Sequence, residues 1–215
     1  MRIRVVIIAN GELKDPAYHR TLINNNDYII CVNGGSIHAL ALGLHPDLLI
    51  GDLDSLPPAV KAKILSSNPE VIEHPPAKDK SDLELGLESA LRLKPLEIII
   101  LGALGGKRLD HAFINLLLLK LPLQNKVPAA IINEQQEVRL TDGDLLLKGR
   151  VGDHLSLFAL TDPVKSVFTE GLKYPLAGED LHFASSRGLS NEFTSPEARV
   201  KFVSGLLLAI RTVRR

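Results

Sequence analysis

Through residues 1–124 the chain alternates short β-branched apolar runs with stretches of helical period, and this alternation limits the fold more than any other feature. Residues 3–9, 28–32, 48–50, 71–72 and 97–101 read as strands. The clearest helix covers residues 81–93, where Leu83, Leu87, Ala90 and Leu91 recur at the spacing of one helical face. Strands that are apolar without interruption and are separated by helices have no face for water, so they predict a mostly parallel sheet covered on both sides.

Beyond residue 124 the rhythm changes. Short runs at 129–132, 136–140, 154–160, 164–168, 200–203 and 206–210 recur between Gly, Asp, Asn and Pro, the pattern of an all-β unit. Pro122, Asn125 and Pro128 break the chain between the two patterns. The expectation is an α/β protein in which a Rossmann-like α/β/α domain over 1–124 precedes an all-β, sandwich-like domain over 125–215.

With 45% apolar residues, 215 positions are enough for a sizeable core. Lys plus Arg (25) equals Asp plus Glu (25), so no net field steers the chain toward nucleic acid or a membrane surface, and a small anionic metabolite is the better fit. No apolar run approaches the roughly 20 residues of a membrane span. The N-terminal apolar stretch is interrupted at Asn10-Gly11-Glu12 and reads as a strand rather than a leader. A single cysteine, Cys31, excludes an intramolecular disulfide and a cysteine-based zinc cluster, and a cytoplasmic location is expected.

Candidate chemistry gathers where the strands of the first domain end. Asp52 and Asp54 stand one residue apart in Gly51-Asp52-Leu53-Asp54-Ser55, directly after the strand at 48–50. They are ordinary as turn residues, but at the carboxyl end of a parallel strand two such carboxylates also suit a divalent cation, most often Mg²⁺ bridging phosphates. Asn33-Gly34-Gly35-Ser36 follows the second strand, either as a tight strand-to-helix turn or as backbone that a phosphate or ribose can approach. Lys78-Asp79-Lys80-Ser81-Asp82 opens the best helix. Ser81 with Glu84 fits a capping box, while the same helix start offers N–H groups, Lys78 and Lys80 to an anion and Asp82 to a metal.

After the fifth strand, residues 102–111 contain Gly-Lys, yet Leu101 and Arg108 stand where a P-loop needs Gly and Ser or Thr. The glycine spacing is not that of a dinucleotide fingerprint either. What is left is a glycine loop carrying Lys107 and Arg108, two cations suited to the charge on a transferring phosphoryl group. Asp110 can orient one of them or a metal-bound water, and His111 stands at the next helix start. The other histidines lack ligand spacing, and no nucleophile-elbow serine occurs.

In order and spacing, Asn33-Gly34-Gly35, Pro46-Asp47 leading to Gly51-Asp52-Leu53-Asp54-Ser55, Lys78-Asp79-Lys80-Ser81-Asp82, and Arg108-Leu109-Asp110-His111 with Asn115 resemble the thiamine pyrophosphokinase family. Residues 171–176 and 188–192 resemble its C-terminal signatures, so the resemblance runs over nearly the whole chain. The family usually has Asp where Asn33 stands and Thr where Ser81 stands, and Lys107 looks like an added residue. The resemblance implies ATP-dependent transfer of a pyrophosphoryl group to the hydroxyl of thiamine, giving thiamine diphosphate and AMP. It implies Mg²⁺ on Asp52, Asp54 and Asp82, with Arg108 and Asp110 completing the catalytic group. Asn33, Gly34, Gly35, Lys78, Lys80, Ser81, Arg108 and His111 would bind the nucleotide, and Ser190 and Asn191 thiamine. Asp54, Asp110 or the metal's own effect on the hydroxyl would deal with its proton. A homodimer with the acceptor pocket between subunits follows from the same resemblance; its partners are ATP and thiamine, with neither nucleic acid nor membrane. Two other readings compete: a pyrophosphokinase for another hydroxymethyl heterocycle such as a pterin, and a non-catalytic regulator binding thiamine diphosphate or a nucleotide.

Overall fold

A computed structural model of the chain describes residues 3–51, 56–74, 79–106 and 108–214, so Asp52, Asp54, Lys78 and Lys107 lie outside the described residues. The chain divides into two compact units, Met1–Glu134 and Gln135–Arg215.

In the first unit, β1 (Arg4–Ile8), β2 (Tyr28–Val32), β3 (Leu48–Gly51), β4 (Glu70–Glu73), β5 (Glu97–Leu101) and β6 (Ala129–Ile132) pair in parallel in the order β6-β5-β1-β2-β3-β4. The intervening helices are α1 (Pro16–Thr21), α2 (Gly35–Ala41), α3 (Pro58–Leu65), α4 (Asp82–Arg92), α5 (Leu109–Leu118) and α6 (Lys120–Gln124). Successive strand residues point to opposite faces, and both sets are covered. Val6, Ile8, Cys31 and Leu49 form a core with Ala39 of α2 and Ile64 of α3. The alternate residues Val5, Ile7, Ile30 and Val32 are equally buried, and α4 lies on their side: a Cβ on Gly86 would sit 2.6 Å from Val32 Cγ1 and 3.6 Å from Ile7 Cγ2. Each fully buried Val, Leu or Ile contributes about 1.5–3 kcal/mol, so uninterrupted apolar strands are the main adhesive of this unit.

Helix α4 follows from its own residues. Ser81 Oγ accepts the Glu84 N–H at 3.2 Å, and Asp82 and Glu84 place negative charge at the positive end of the helix. Leu83, Gly86, Leu87 and Ala90 are buried, while the expected Leu91 is only half-buried. Gly86 takes the innermost place because the helix approaches β2 too closely for a Cβ.

One expectation needs correction. Residues 129–132 do not begin the all-β unit; as β6 they pair in parallel with β5, Ile99 facing Ala130, and the boundary falls after Glu134 rather than after residue 124. Two apolar pairs with no alternation, as in Ala129–Ile132, are what a strand buried on both faces requires. The expected breaker Pro122 is buried in the first turn of α6, where a missing N–H costs little.

The second unit contains β7 (Gln136–Thr141), β8 (Leu145–Lys148), β9 (His154–Ala159), β10 (Val164–Glu170), β11 (Ala177–Leu181), β12 (Asn191–Glu192), β13 (Glu197–Lys201) and β14 (Leu207–Thr212). They form two antiparallel sheets, β12-β9-β14-β7 and β11-β10-β13-β8. Leu155, Leu157 and Ala209 from one sheet share a core with Val167, Leu181 and Val200 from the other, a sandwich-like arrangement. Of the run expected at 200–203, Val200 and Lys201 form the tail of β13, and residues 202–203 lie beyond it. Strands β8, β11 and β12 were not expected: Leu145-Leu146-Leu147-Lys148 has no β-branched residue, and Ala177–Leu181 has two apolar residues in five. Among the described residues no helix is long and apolar enough to cross a membrane.

Candidate active site

In the first unit the strand order reverses at β1, which leads through α1 to β2 on one side and pairs with β5 on the other. Past the carboxyl ends of such neighbours the connections diverge and leave a crevice. Here the Ala9 N–H donates to Leu101 O at 2.8 Å and the Gly11 N–H to Gly102 O at 2.6 Å. Gly102 has a φ of 64°, and a Cβ on it would lie 2.4 Å from Ala9 O, so only glycine fits this crossing. A cavity of about 410 Å³ opens beside it, between the ends of β1, β2 and β5 and the first turns of α4 and α5.

Asn33 and Asp82 meet at this cavity, Asn33 Nδ2 donating to Asp82 Oδ2 at 3.1 Å. Lys80 and Ser81 line it too; Lys80 Nζ forms a half-exposed ion pair with Glu88 at 2.5 Å, which is easily exchanged for another anion. Gly34 and Gly35 are buried away from the lining. A Cβ on Gly34 would meet the Asn10 side chain at 2.3 Å, and one on Gly35 would meet Ile8 O at 2.0 Å, so Gly35 allows β1 and α2 to touch and Gly34 makes room for Asn10.

On the opposite wall, Arg108 lines the cavity and grips Asp110 through two nitrogens, Nε to Oδ1 at 2.9 Å and Nη2 to Oδ2 at 2.6 Å. Both side chains are exposed, 67% and 63%. The hydrogen bond from Arg108 is the main cause that holds the Asp110 carboxyl down at about 2. A carboxylate that acidic is a poor proton acceptor near neutrality, so its evident work is to hold the guanidinium. His111 lines the cavity on the first turn of α5, and Asn115 one turn later donates from Nδ2 to Ala103 O at 2.8 Å, fastening the glycine loop to the helix.

Asn10 and Gly11 also line the cavity and carried no functional expectation. The available signal was their position directly after the first strand, equivalent to that of Asn33 after the second. Among the described residues no group of three or more His, Cys, Asp or Glu forms a metal site. Asp82 is nonetheless close to Gly51, whose Cβ would lie 3.2 Å from Asp82 Oδ1, and Asp52 is the next residue in sequence.

Ser190 and Asn191 belong to the second unit. The Asn191 side chain accepts the Tyr174 N–H at 3.0 Å and donates to Tyr174 O at 2.7 Å, and the Lys173 N–H donates to Glu192 O at 2.9 Å. The amide thus joins the two C-terminal signature segments. Ser190 precedes it with a φ of 57°, its N–H donating to Ser156 Oγ at 3.1 Å.

The family model for the thiamin pyrophosphokinase catalytic domain matches residues 19–131, and that for the thiamin pyrophosphokinase vitamin B1 binding domain matches residues 137–207. A thiamine pyrophosphokinase of Bacillus subtilis (strain 168) is 28% identical over 185 residues, which cover 85% of this chain and 86% of that one. A crystal structure of thiamine pyrophosphokinase from Bacillus subtilis superposes with a TM-score of 0.89 at 25% identity, over 99% of this chain and 100% of the other. That of the Geobacillus thermodenitrificans protein gives 0.86 at 26% identity, over 99% and 98%. One domain match falls within each structural unit, and the chain belongs to the thiamin pyrophosphokinase family.

Proposed function

We propose that this chain transfers the pyrophosphoryl group of ATP to the hydroxyl of thiamine, giving thiamine diphosphate and AMP. The observation that carries the reading is the cavity at the reversal of strand order, where the oriented carboxylate of Asp82 and the guanidinium of Arg108 stand on the first turns of two different helices. In the reaction the hydroxyl oxygen bonds to the β-phosphorus, the bond from that phosphorus to the AMP oxygen breaks, and the hydroxyl proton leaves. Charge grows on the phosphate oxygens and must be met by groups already in place.

The residues divide this work by wall. Arg108, held by Asp110, faces the transferring group. Lys80, Ser81, His111 and the first turn of α5 take the nucleotide's phosphates, with Lys78 added from outside the described residues. Asn33, Gly34 and Gly35 shape the turn beneath. The first unit reads as Rossmann-like, which the reversal at β1 and helices on both faces support. Asp82 offers hard oxygen beside Gly51, from which the chain runs directly into Asp52 and Asp54, a donor set suited to Mg²⁺. Bound there, Mg²⁺ would neutralise phosphate charge and acidify the hydroxyl. Asp54 is then the better proton acceptor, since Asp110 is committed to Arg108.

Ser190 and Asn191 are read as thiamine contacts, with Asn191 acting partly by fixing the Tyr174 backbone. A cytoplasmic homodimer is part of the same reading. The vitamin B1 binding domain match over residues 137–207 speaks for thiamine over a pterin acceptor. Release of AMP from ATP and Mg²⁺, with thiamine and with a hydroxymethylpterin as acceptors, is the test. Thiamine-dependent release supports the reading; release only with the pterin, or binding without turnover, would overturn it.

A further inference from the structure

Asn33 closes β2 with a φ of 50°, in the left-handed region that Asn, Asp and Gly occupy at least cost. Its N–H donates to Ile50 O at 2.8 Å, tying it to the end of β3. From this posture the side chain reaches α4, where Nδ2 holds Asp82 Oδ2 at 3.1 Å. The other oxygen, Asp82 Oδ1, is 3.2 Å from the place a Cβ would take on Gly51, and Asn33 N is 3.2 Å from that same place. Gly51 has a φ of 131°, so the spot is closed to a side chain by strain as well as by crowding. The ends of two strands and the start of a helix therefore converge on one carboxylate.

We propose that Asn33 is a positioning residue: its neutral amide fixes the Asp82 carboxylate with Oδ1 turned toward the end of β3, and so sets the affinity of the site for a divalent cation. The inference rests on the reading of Asp82 as a cation ligand. A free aspartate rotates about two torsions, whereas one oxygen tied to Asn33 leaves the second at a defined place before any cation arrives. Partners that orient a ligand in this way are worth about 10–100-fold in metal affinity. An aspartate at position 33 would instead set two carboxylates against each other, a repulsion that a cation relieves.

Mn²⁺ alone, titrated calorimetrically into the metal-free full chain, tests this across wild type, N33G, N33D and D82N. Gly and Asp both tolerate the left-handed backbone, so these variants change the side chain with little strain. N33G should bind Mn²⁺ about tenfold more weakly. N33D should match or exceed wild-type affinity while its metal-free denaturation midpoint falls and recovers with Mn²⁺, and D82N should lose binding. If D82N loses binding but N33G keeps wild-type affinity, or N33G and N33D weaken alike, the positioning role is overturned and the cation reading survives. Wild-type affinity in D82N would overturn both.

Discussion

Two helices bring their first turns to the same cavity, and they are furnished in opposite ways. The start of α4 is capped by Ser81, half-buried and acidic, with Asp82 tied to a neighbouring strand end. The start of α5 has no side-chain cap, is exposed, and carries Arg108 on a two-point grip from Asp110 beside a glycine loop. A capped, carboxylate-bearing helix start suits a cation that must be held in one place. An uncapped one with an arginine suits an anion that arrives and leaves. Under the proposed reading the same element type would serve both charges of a metal–phosphate substrate, and the side chains at each helix start would decide which.

Substitutions on the two walls should break this contrast apart. Asp82→Asn should have the largest effect, a fall in turnover of about 10³-fold, because removing a charged cation ligand costs several kcal/mol at about 1.4 kcal/mol per decade. Near wild-type turnover would take Asp82 out of the site. Arg108→Ala should lower kcat by about 10²-fold and alter the KM for thiamine much less, with a denaturation midpoint only slightly lowered because the pair lies in solvent. A larger effect on KM than on kcat would move Arg108 to the acceptor side. Ser81→Ala reads out on the other scale: loss of the cap should cost about 1 kcal/mol of stability in chemical denaturation, and no loss would mean that α4 is held by packing alone.

The smallest effect is a titration. Followed by NMR, the Asp110 carboxyl should titrate near 2 in the wild type and return toward about 3.9 in Arg108→Ala. Since the folded-state pKa is the lowered one, the stabilising contribution of the pair is complete above the unfolded value of about 3.9. It is lost as pH falls through about 2. Identical titrations in both proteins would show that the grip does not persist in solution.

Much of the first unit was legible because its signals are local. The apolar runs at 28–32 and 97–101 coincide with β2 and β5, and Ser81 with Glu84 marked the start of α4 to the residue. The misreading at 129–132 has a simple cause: a strand buried on both faces looks the same whichever sheet it joins, and only its partner β5 assigns it. The candidate site shows the same divide. Asp82, Arg108 and His111 were recognisable by residue type and position, whereas Asn10 and Gly11 had only their place after the first strand as a signal, and that the sheet reverses at this strand is set by its order.

By itself the sequence determined the two-part character of the chain, its strands and capped helix, and the family to which its motifs point, since these depend on residues close together. Only the tertiary structure decided that Asn33 holds Asp82 across 49 positions, that Gly35 packs against β1 and Gly34 against Asn10, and that Asp82 and Arg108 face one cavity. The physical reason is range: propensity and periodicity act over a few residues, while a carboxylate's partner is chosen by the order in which strands assemble.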